Sequence, residues 1–311
     1  MRHVQAILYP TPDNPLPPGA ECVELVTRDK QHLRVMKAIP ETARGTFVIL
    51  GGRGDFIERY FETAHDLAGR GFAVVVLDMR GQGGSERPMR QPCRDRTRSF
   101  AGFDEDVRAL MEDVVIPSCP EPYYALGHST GAHVLLRLLR SRPWFTRAIL
   151  VSPLVEIIYG PWPRPVAALL VSVMWFTGLA GAFLPGVLRK PMGRADFPGN
   201  PLTSDHGRWN RDSTTLEIAP QLGLGGPTFG WLGAARRSIR KLRRMKKPMA
   251  PVLIVAAGAD RVVGNEGIRR LARRVPGLAL TFIPDARHEI MCERDEIRRQ
   301  FLAALDTFVP A

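Results

Sequence analysis

At 311 residues, 45% apolar and 24% charged, the chain is ordinary soluble-globular material. It is long enough to bury a full core as one large domain or a domain with an insertion. Its formal charge of +12 is not ordinary, and implies an anionic partner: a membrane surface, a nucleic acid or an acidic substrate.

Cys22, Cys93, Cys119 and Cys292 show neither metal-ligand spacing nor a disulfide framework. The first ten residues hold too short an apolar core for a signal peptide, so a reducing cytoplasm is the expected location.

Residues 1–19 read as an extended proline-rich arm. Glu21–Thr27 and His32–Ala38 alternate polar and apolar around Arg28-Asp29-Lys30, which predicts an antiparallel hairpin. Thr46–Leu50 has a buried-strand pattern and ends in Gly51-Gly52-Arg53-Gly54-Asp55. Tyr60, Ala64, Leu67 and Ala68 predict a helix over Glu58–Arg70, stopped by Gly71. Phe72–Leu77 is the continuous apolar run of a central parallel strand. A glycine loop, Asp78 to Ser85, follows, and then a basic surface loop, Arg87–Arg98. Val107, Leu110, Met111 and Val114 share one face of a helix expected over Asp104–Ile116.

The stretch Tyr123–Arg140 organises the rest. An apolar run enters Gly127-His128-Ser129-Thr130-Gly131 and a helix-patterned run leaves it. That strand–turn–helix context makes G-x-S-x-G a nucleophile elbow, with the serine hydroxyl projecting from a strained turn. The glycines lack the Cβ atoms that would clash there. The helix start turns free N–H groups and a positive dipole end toward the serine.

Ala148–Val151 is the next buried strand. Strand–helix alternation then stops, and resumes with Val252–Ala256, helix Asn265–Arg274, strand Leu278–Ile283 and helix Arg294–Phe308. The expected class is α/β: a mostly parallel sheet with helices on both faces and an inserted helical cap. The expected divisions are the arm at 1–19, the sheet-and-helix core at 20–155 and 241–311, and the cap at 156–240. Within the cap, Val166–Leu188 carries no charge over 23 positions. Gly178, Gly181, Pro185 and Gly186 weaken its second half. Both flanking strands belong to one sheet, so a buried or interfacial helix is expected and not a membrane span. Arg236–Lys247 holds eight cations and no acid, with Ile239, Leu242 and Met245 every third residue. It reads as a basic amphipathic helix, either a plain solvated face or a functional patch.

A nucleophilic serine needs a base, and the base needs an orienting carboxylate. Asp260 lies just past the strand Val252–Ala256, and His288 just past Leu278–Ile283, both on the sheet edge that carries Ser129. Glu156 competes for the acid role. Asp285 reads as a turn residue, His128 as pointing away and His133 as core packing, while His3, His32, His65 and His206 have no strand-end setting. The oxyanion donors expected are the backbone N–H groups of Thr130 and of Arg53, the latter in the loop after Thr46–Leu50.

With these residues, the chain resembles the α/β-hydrolase superfamily, and within it the monoacylglycerol lipase and bacterial lysophospholipase group. The resemblance is carried by Gly52-Arg53-Gly54 with Arg59-Tyr60, by Asp78-Met79-Arg80-Gly81-Gln82-Gly83-Gly84-Ser85, by Gly127-His128-Ser129-Thr130-Gly131 and by Val151-Ser152-Pro153-Leu154. Asp260 and His288 stand where the family has its acid and base. It covers roughly residues 20–309. It implies a serine ester hydrolase working through an acyl-enzyme without metal or organic cofactor. The implied substrate is a lipid ester. The apolar cap suggests a long acyl chain and the basic surface a peripheral contact with the anionic inner membrane face, which a lysophospholipid or a monoacylglycerol fits. A thioesterase, haloperoxidase or small-ester esterase, and a non-catalytic binding protein of the same fold, remain open. A nucleic-acid partner lacks any recognised module.

Overall fold

The structure is a computed structural model, and residues 7–87, 93–95, 97–158, 164–187 and 197–309 are described. The start of the arm, part of the basic loop at 88–92 and 96, and the end of the uncharged run at Leu188 lie outside them.

Eight strands form one sheet among these residues: β1 (Ala20–Val26), β2 (His32–Ala38), β3 (Thr46–Leu50), β4 (Ala73–Leu77), β5 (Tyr123–His128), β6 (Arg147–Val151), β7 (Val252–Ala257) and β8 (Leu278–Ile283). They lie in the order β1-β2-β4-β3-β5-β6-β7-β8. β2 runs antiparallel to both β1 and β4, and every other neighbouring pair is parallel. The hairpin expected from the alternating pattern forms, with Val26 opposite His32.

The central strands are apolar along most of their length because both faces are covered. Phe47, Ile49, Val74 and Val76 point to one side, where helices α1 (Phe61–Ala68) and α8 (Asp295–Phe308) pack. Val48, Leu50, Val75 and Leu77 point to the other, where α2 (Ala101–Ala109), α3 (Thr130–Leu138) and α7 (Asn265–Arg274) pack. Between β6 and β7 the chain forms α4 (Arg164–Phe176), α5 (His206–Ile218) and α6 (Phe229–Leu242).

Several boundaries differ from expectation. The first turn of the helix expected over Glu58–Arg70 is the 3-10 turn Ile57–Tyr60. α2 starts three residues before the expected Asp104 and widens into a π turn at Leu110–Val115. The uncharged run is not one helix: α4 stops at Phe176, and Gly178 turns the chain with φ +77°. The basic helix begins at Phe229, capped by the Thr228 hydroxyl 3.2 Å from Trp231 N, and ends at Leu242. Arg243 to Lys247 therefore lie beyond it, and the helix runs through the expected cap boundary at 240. No helix among the described residues is long and apolar enough to cross a membrane.

A fully buried arginine ties the amino-terminal part together. Arg34 on β2 donates through Nε to Asp78 Oδ2 at 2.8 Å, and through both terminal nitrogens to the Glu58 carboxylate at 2.8 Å each. It also donates to the Ile7 carbonyl at 2.8 Å. Glu58 in turn accepts from Tyr9 N, and its carbonyl accepts from the Asn14 side chain at 2.8 Å. The proline-rich arm is thereby held against the core. Losing one partner of such a network leaves uncompensated buried charge, at a cost of about 3–5 kcal/mol. Arg34→Leu is therefore expected to lower urea stability by that amount. Arg28→Leu, whose side chain is 72% exposed, should cost under about 1 kcal/mol. Equal losses would remove the network from the account.

Candidate active site

β5 runs directly into α3 through Ser129, which sits at φ +49° and ψ −107°, in the left-handed region that is costly for any residue with a side chain. The turn is locked from three directions. Ser129 N donates to the Val151 carbonyl at 2.9 Å, and the Ser129 carbonyl accepts from His133 N at 3.0 Å and Leu154 N at 3.1 Å. The two motif glycines are sterically required. A Cβ on Gly131 would lie 2.1 Å from the Leu50 carbonyl oxygen, and one on Gly127 would lie 2.7 Å from Ala132 backbone.

The structure brings the three sequence candidates into one line. His288 Nε2 is 3.0 Å from Ser129 Oγ, and His288 Nδ1 is 2.7 Å from Asp260 Oδ2. A carboxylate can only accept, so Nδ1 carries the proton and Nε2 is left to accept from the serine hydroxyl. Asp260 Oδ1 accepts from Val262 N at 2.8 Å and Val263 N at 2.9 Å. Burial works to raise the Asp260 pKa. The hydrogen bond and charge of His288, with the two backbone N–H groups, outweigh it and hold the carboxyl below the usual range.

The competitors go elsewhere. Glu156 pairs with Arg270 at 3.0 Å, and Asp285 is exposed. His133 is fully buried, 2.6 Å from the Leu154 carbonyl and 2.7 Å from Ser238 Oγ.

The loop after β3 carries the N–H groups of Gly52, Arg53 and Gly54. That of Gly52 is taken by Asp55 Oδ2 at 2.5 Å and that of Gly54 by Gln82 Oε1 at 2.6 Å. The Arg53 N–H has no acceptor among the described residues. The Arg53 guanidinium turns away, to Asp95 at 3.1 Å and the carbonyls of Gly225 and Gly226 at 2.9 and 2.8 Å. Thr130 is the first residue of α3, so its N–H has no partner within the helix.

One part of the site escaped sequence reading. His128 does not simply point away. Its Nδ1 lies 3.2 Å from Asp55 Oδ2 and its Nε2 lies 3.3 Å from the backbone carbonyl of His288. Asp55 also accepts from Gly52 N, from Tyr60 Oη at 2.7 Å and from Arg59, which further pairs with Glu289 and with Asp212 at 2.8 Å. The pair thus bridges the loop after β3, the elbow and the loop carrying His288. An acid four residues after Gly51 and a histidine inside the motif gave no spacing signal, because the contact spans 73 residues.

Both acceptors facing His128 lack protons, so the ring makes both bonds only as imidazolium. Burial works against that charge. The hydrogen bond and charge of Asp55, joined by Glu289 and opposed by Arg59, outweigh it and lift the pKa above the ordinary histidine value.

These groups open onto a cavity of about 580 Å³. Ser129 and His288 form part of its floor. Phe56, Leu154, Leu170, Val171, Leu216 and Phe229 contribute apolar wall, and Arg59, Asp212 and Glu289 a polar margin. Leu184 and Val187 of the uncharged run also line it, but Val173 does not.

A mostly parallel sheet with this strand order, a strained serine between β5 and α3, and an acid and a histidine at later strand ends define an α/β-hydrolase. More narrowly, the chain belongs to the serine aminopeptidase family, S33, whose pattern matches residues 41–295. It is similar to the probable lysophospholipase L2 of Haemophilus influenzae, at 27% identity over 87% of this chain and 85% of that protein. It is also similar to the monoglyceride lipase of Mus musculus, at 26% identity over 96% and 93%. Among solved structures, a soluble variant of Saccharomyces cerevisiae monoglyceride lipase in complex with a substrate analog shares the fold. Its TM-score is 0.70 at 19% identity, over 97% of this chain and 98% of that one.

The charged state of His128 has a measurable consequence. Its folded pKa is raised, so the Asp55–His128 contribution to stability is complete below the unfolded value of about 6.5 and is lost as pH rises through the folded value. The urea midpoint of the wild type is expected to fall over that rise. His128→Gln should flatten this part of the profile. An unchanged slope in the variant would show that His128 is neutral in the folded protein.

Proposed function

We propose that the chain hydrolyses a carboxylic ester of a lipid through a serine acyl-enzyme. The observation that carries this reading is the Ser129–His288–Asp260 hydrogen-bonded line at the floor of a large apolar cavity. His288 Nε2 takes the Ser129 proton as Oγ bonds to the ester carbonyl carbon. The carbonyl electrons move to oxygen, where the N–H groups of Arg53 and Thr130 meet the developing charge. The tetrahedral adduct collapses, the C–O bond to the alcohol breaks, and His288 returns its proton to that alcohol. Water, deprotonated by the same histidine, then releases the acyl group as a carboxylic acid. Asp260 holds the His288 tautomer and stabilises its charged form.

The substrate reading rests on the similarity to a lysophospholipase and a monoglyceride lipase together with the apolar cavity, which favours an acyl chain of a lysophospholipid or monoacylglycerol. Residues 156–240 act as the cap in this scheme, α4 and α6 supplying wall to the acyl pocket, and the enzyme works in the cytoplasm.

A fluorophosphonate probe is expected to label the wild type once and leave Ser129→Ala unlabelled; a labelled alanine variant would move the nucleophile elsewhere. Asp260→Asn should cost on the order of 10⁴ in kcat, while Glu156→Gln should be nearly silent. Reversed results would reassign the acid.

Each methylene buried is worth about 0.8 kcal/mol. Leu170→Asn, on the cavity wall, should therefore depress hydrolysis of long-chain esters far more than of short ones. Val173→Asn, exposed and off the wall, should leave both alone. Equal losses from Leu170→Asn on both esters would make this wall merely structural.

A further inference from the structure

A second cavity, of about 650 Å³, lies between α6 and α7. Its rim is built of arginines. Arg236, Arg240 and Arg243 line it from α6 and the turn after it; Arg270 and Arg274 line it from α7. A spacing of four residues puts Arg236 and Arg240 on one face of α6, and Arg270 and Arg274 on one face of α7, with Arg243 following in the turn. Five cations thus border one groove, against one carboxylate, Glu156, which Arg270 engages at 3.0 Å. Arg274 is fixed by donating to the carbonyls of Leu242 at 2.9 Å and Arg243 at 2.5 Å, which clamps the end of α6 against α7. Arg236, Arg240 and Arg243 have no acidic partner among the described residues. Like charges bordering one groove repel one another, and an anion between them relieves the repulsion.

The groove is also amphiphilic. Ile157, Ile239 and Leu242 line it along with the arginines, and Ile157 is shared with the wall of the Ser129 cavity. Beside it, α4 lies along α6, with the Arg237 guanidinium 4.5 Å from the Trp175 ring centre. α4 turns Leu169, Val173 and Phe176 outward, the last 88% exposed. A free phosphate ion would find no use for such neighbours, whereas a bilayer offers anionic headgroups with apolar tails below them.

We propose that the groove between α6 and α7 seats the phosphoryl headgroup of an anionic phospholipid in a bilayer and holds the enzyme on that surface. Arginine forks pair with phosphate oxygens bidentately, and the apolar lining takes the glycerol end of the acyl chains. This reading does not depend on the ester chemistry. It also narrows the role of the basic stretch: Arg236, Arg240 and Arg243 are in the groove, while Lys241, Lys246 and Lys247 are exposed outside it.

The test is flotation of the full chain with vesicles of phosphatidylcholine alone or with added phosphatidylglycerol, at physiological salt. Each cation near an acidic surface is worth roughly a fivefold change in partition. The triple variant Arg236→Gln/Arg240→Gln/Arg243→Gln should lose on the order of 100-fold on the phosphatidylglycerol vesicles. The charge-matched variant Lys241→Gln/Lys246→Gln/Lys247→Gln should lose less than about tenfold, because its cations face no groove. Circular dichroism and turnover of a water-soluble ester, both near wild type, would show that each variant is folded. Equal losses from the two triples would overturn the groove in favour of diffuse charge. So would equal wild-type binding to both vesicle types, full displacement by millimolar inorganic phosphate, or tighter binding to duplex DNA than to vesicles.

Discussion

Everything at the site depends on how closely the start of α3 approaches the end of β3. With Gly131 in place, the helix begins against the Leu50 carbonyl, at a distance no Cβ could share. That approach puts the Thr130 N–H beside the loop that holds Arg53. It also forces Ser129 into left-handed backbone angles, which push its hydroxyl out of the sheet edge. Such strain costs of order 1–3 kcal/mol and persists only where the surroundings over-determine it. Here the hydrogen bonds to Val151, His133 and Leu154 do so.

Around that turn the protein concentrates buried charge. Arg34 joins Asp78 to Glu58, Arg59 joins Asp55 to Asp212 and Glu289, and His128 joins Asp55 to the His288 backbone. Buried pairs are weak sources of net stability, since desolvation consumes most of their attraction. What they supply is geometry. Asp55 accepts from Gly52 and Tyr60 within its own loop and turn and from His128, 73 residues on, and so fixes that loop against the elbow. The excess of positive charge is spent differently: the arginines of α6 and α7 stay at the surface and border a groove of their own.

The strand ends and the motif carry most of what could be read without coordinates. β4 and β7 are uninterrupted apolar runs, and β3 and β6 become so after their first residue, because helices cover both faces of the sheet there. Ser129 was legible because a tight strand–helix turn admits few residue types. Asp260 and His288 were legible because a parallel sheet collects its strand ends on one edge. Helix limits were less so. The 3-10 turn at Ile57–Tyr60 and the π turn at Leu110–Val115 answer to packing and not to local preference. In the uncharged run the glycines from Gly178 on marked the second half as weak, but that α4 ends at Phe176 and Gly178 turns left-handed is set by packing.

By itself the amino-acid sequence determined the class of fold, the order of its strands along the chain, and which three side chains stand at strand ends able to meet. These follow from period, glycine sterics and chain order, all local or one-dimensional. Only the tertiary structure decided that His128 faces two acceptors, that Arg34 holds the amino-terminal arm, that Val173 faces away from the cavity, and that arginines of α6 meet those of α7. All but the facing of Val173 are contacts between residues far apart in the chain. Such contacts are set by how elements pack, and residue spacing carries no trace of them.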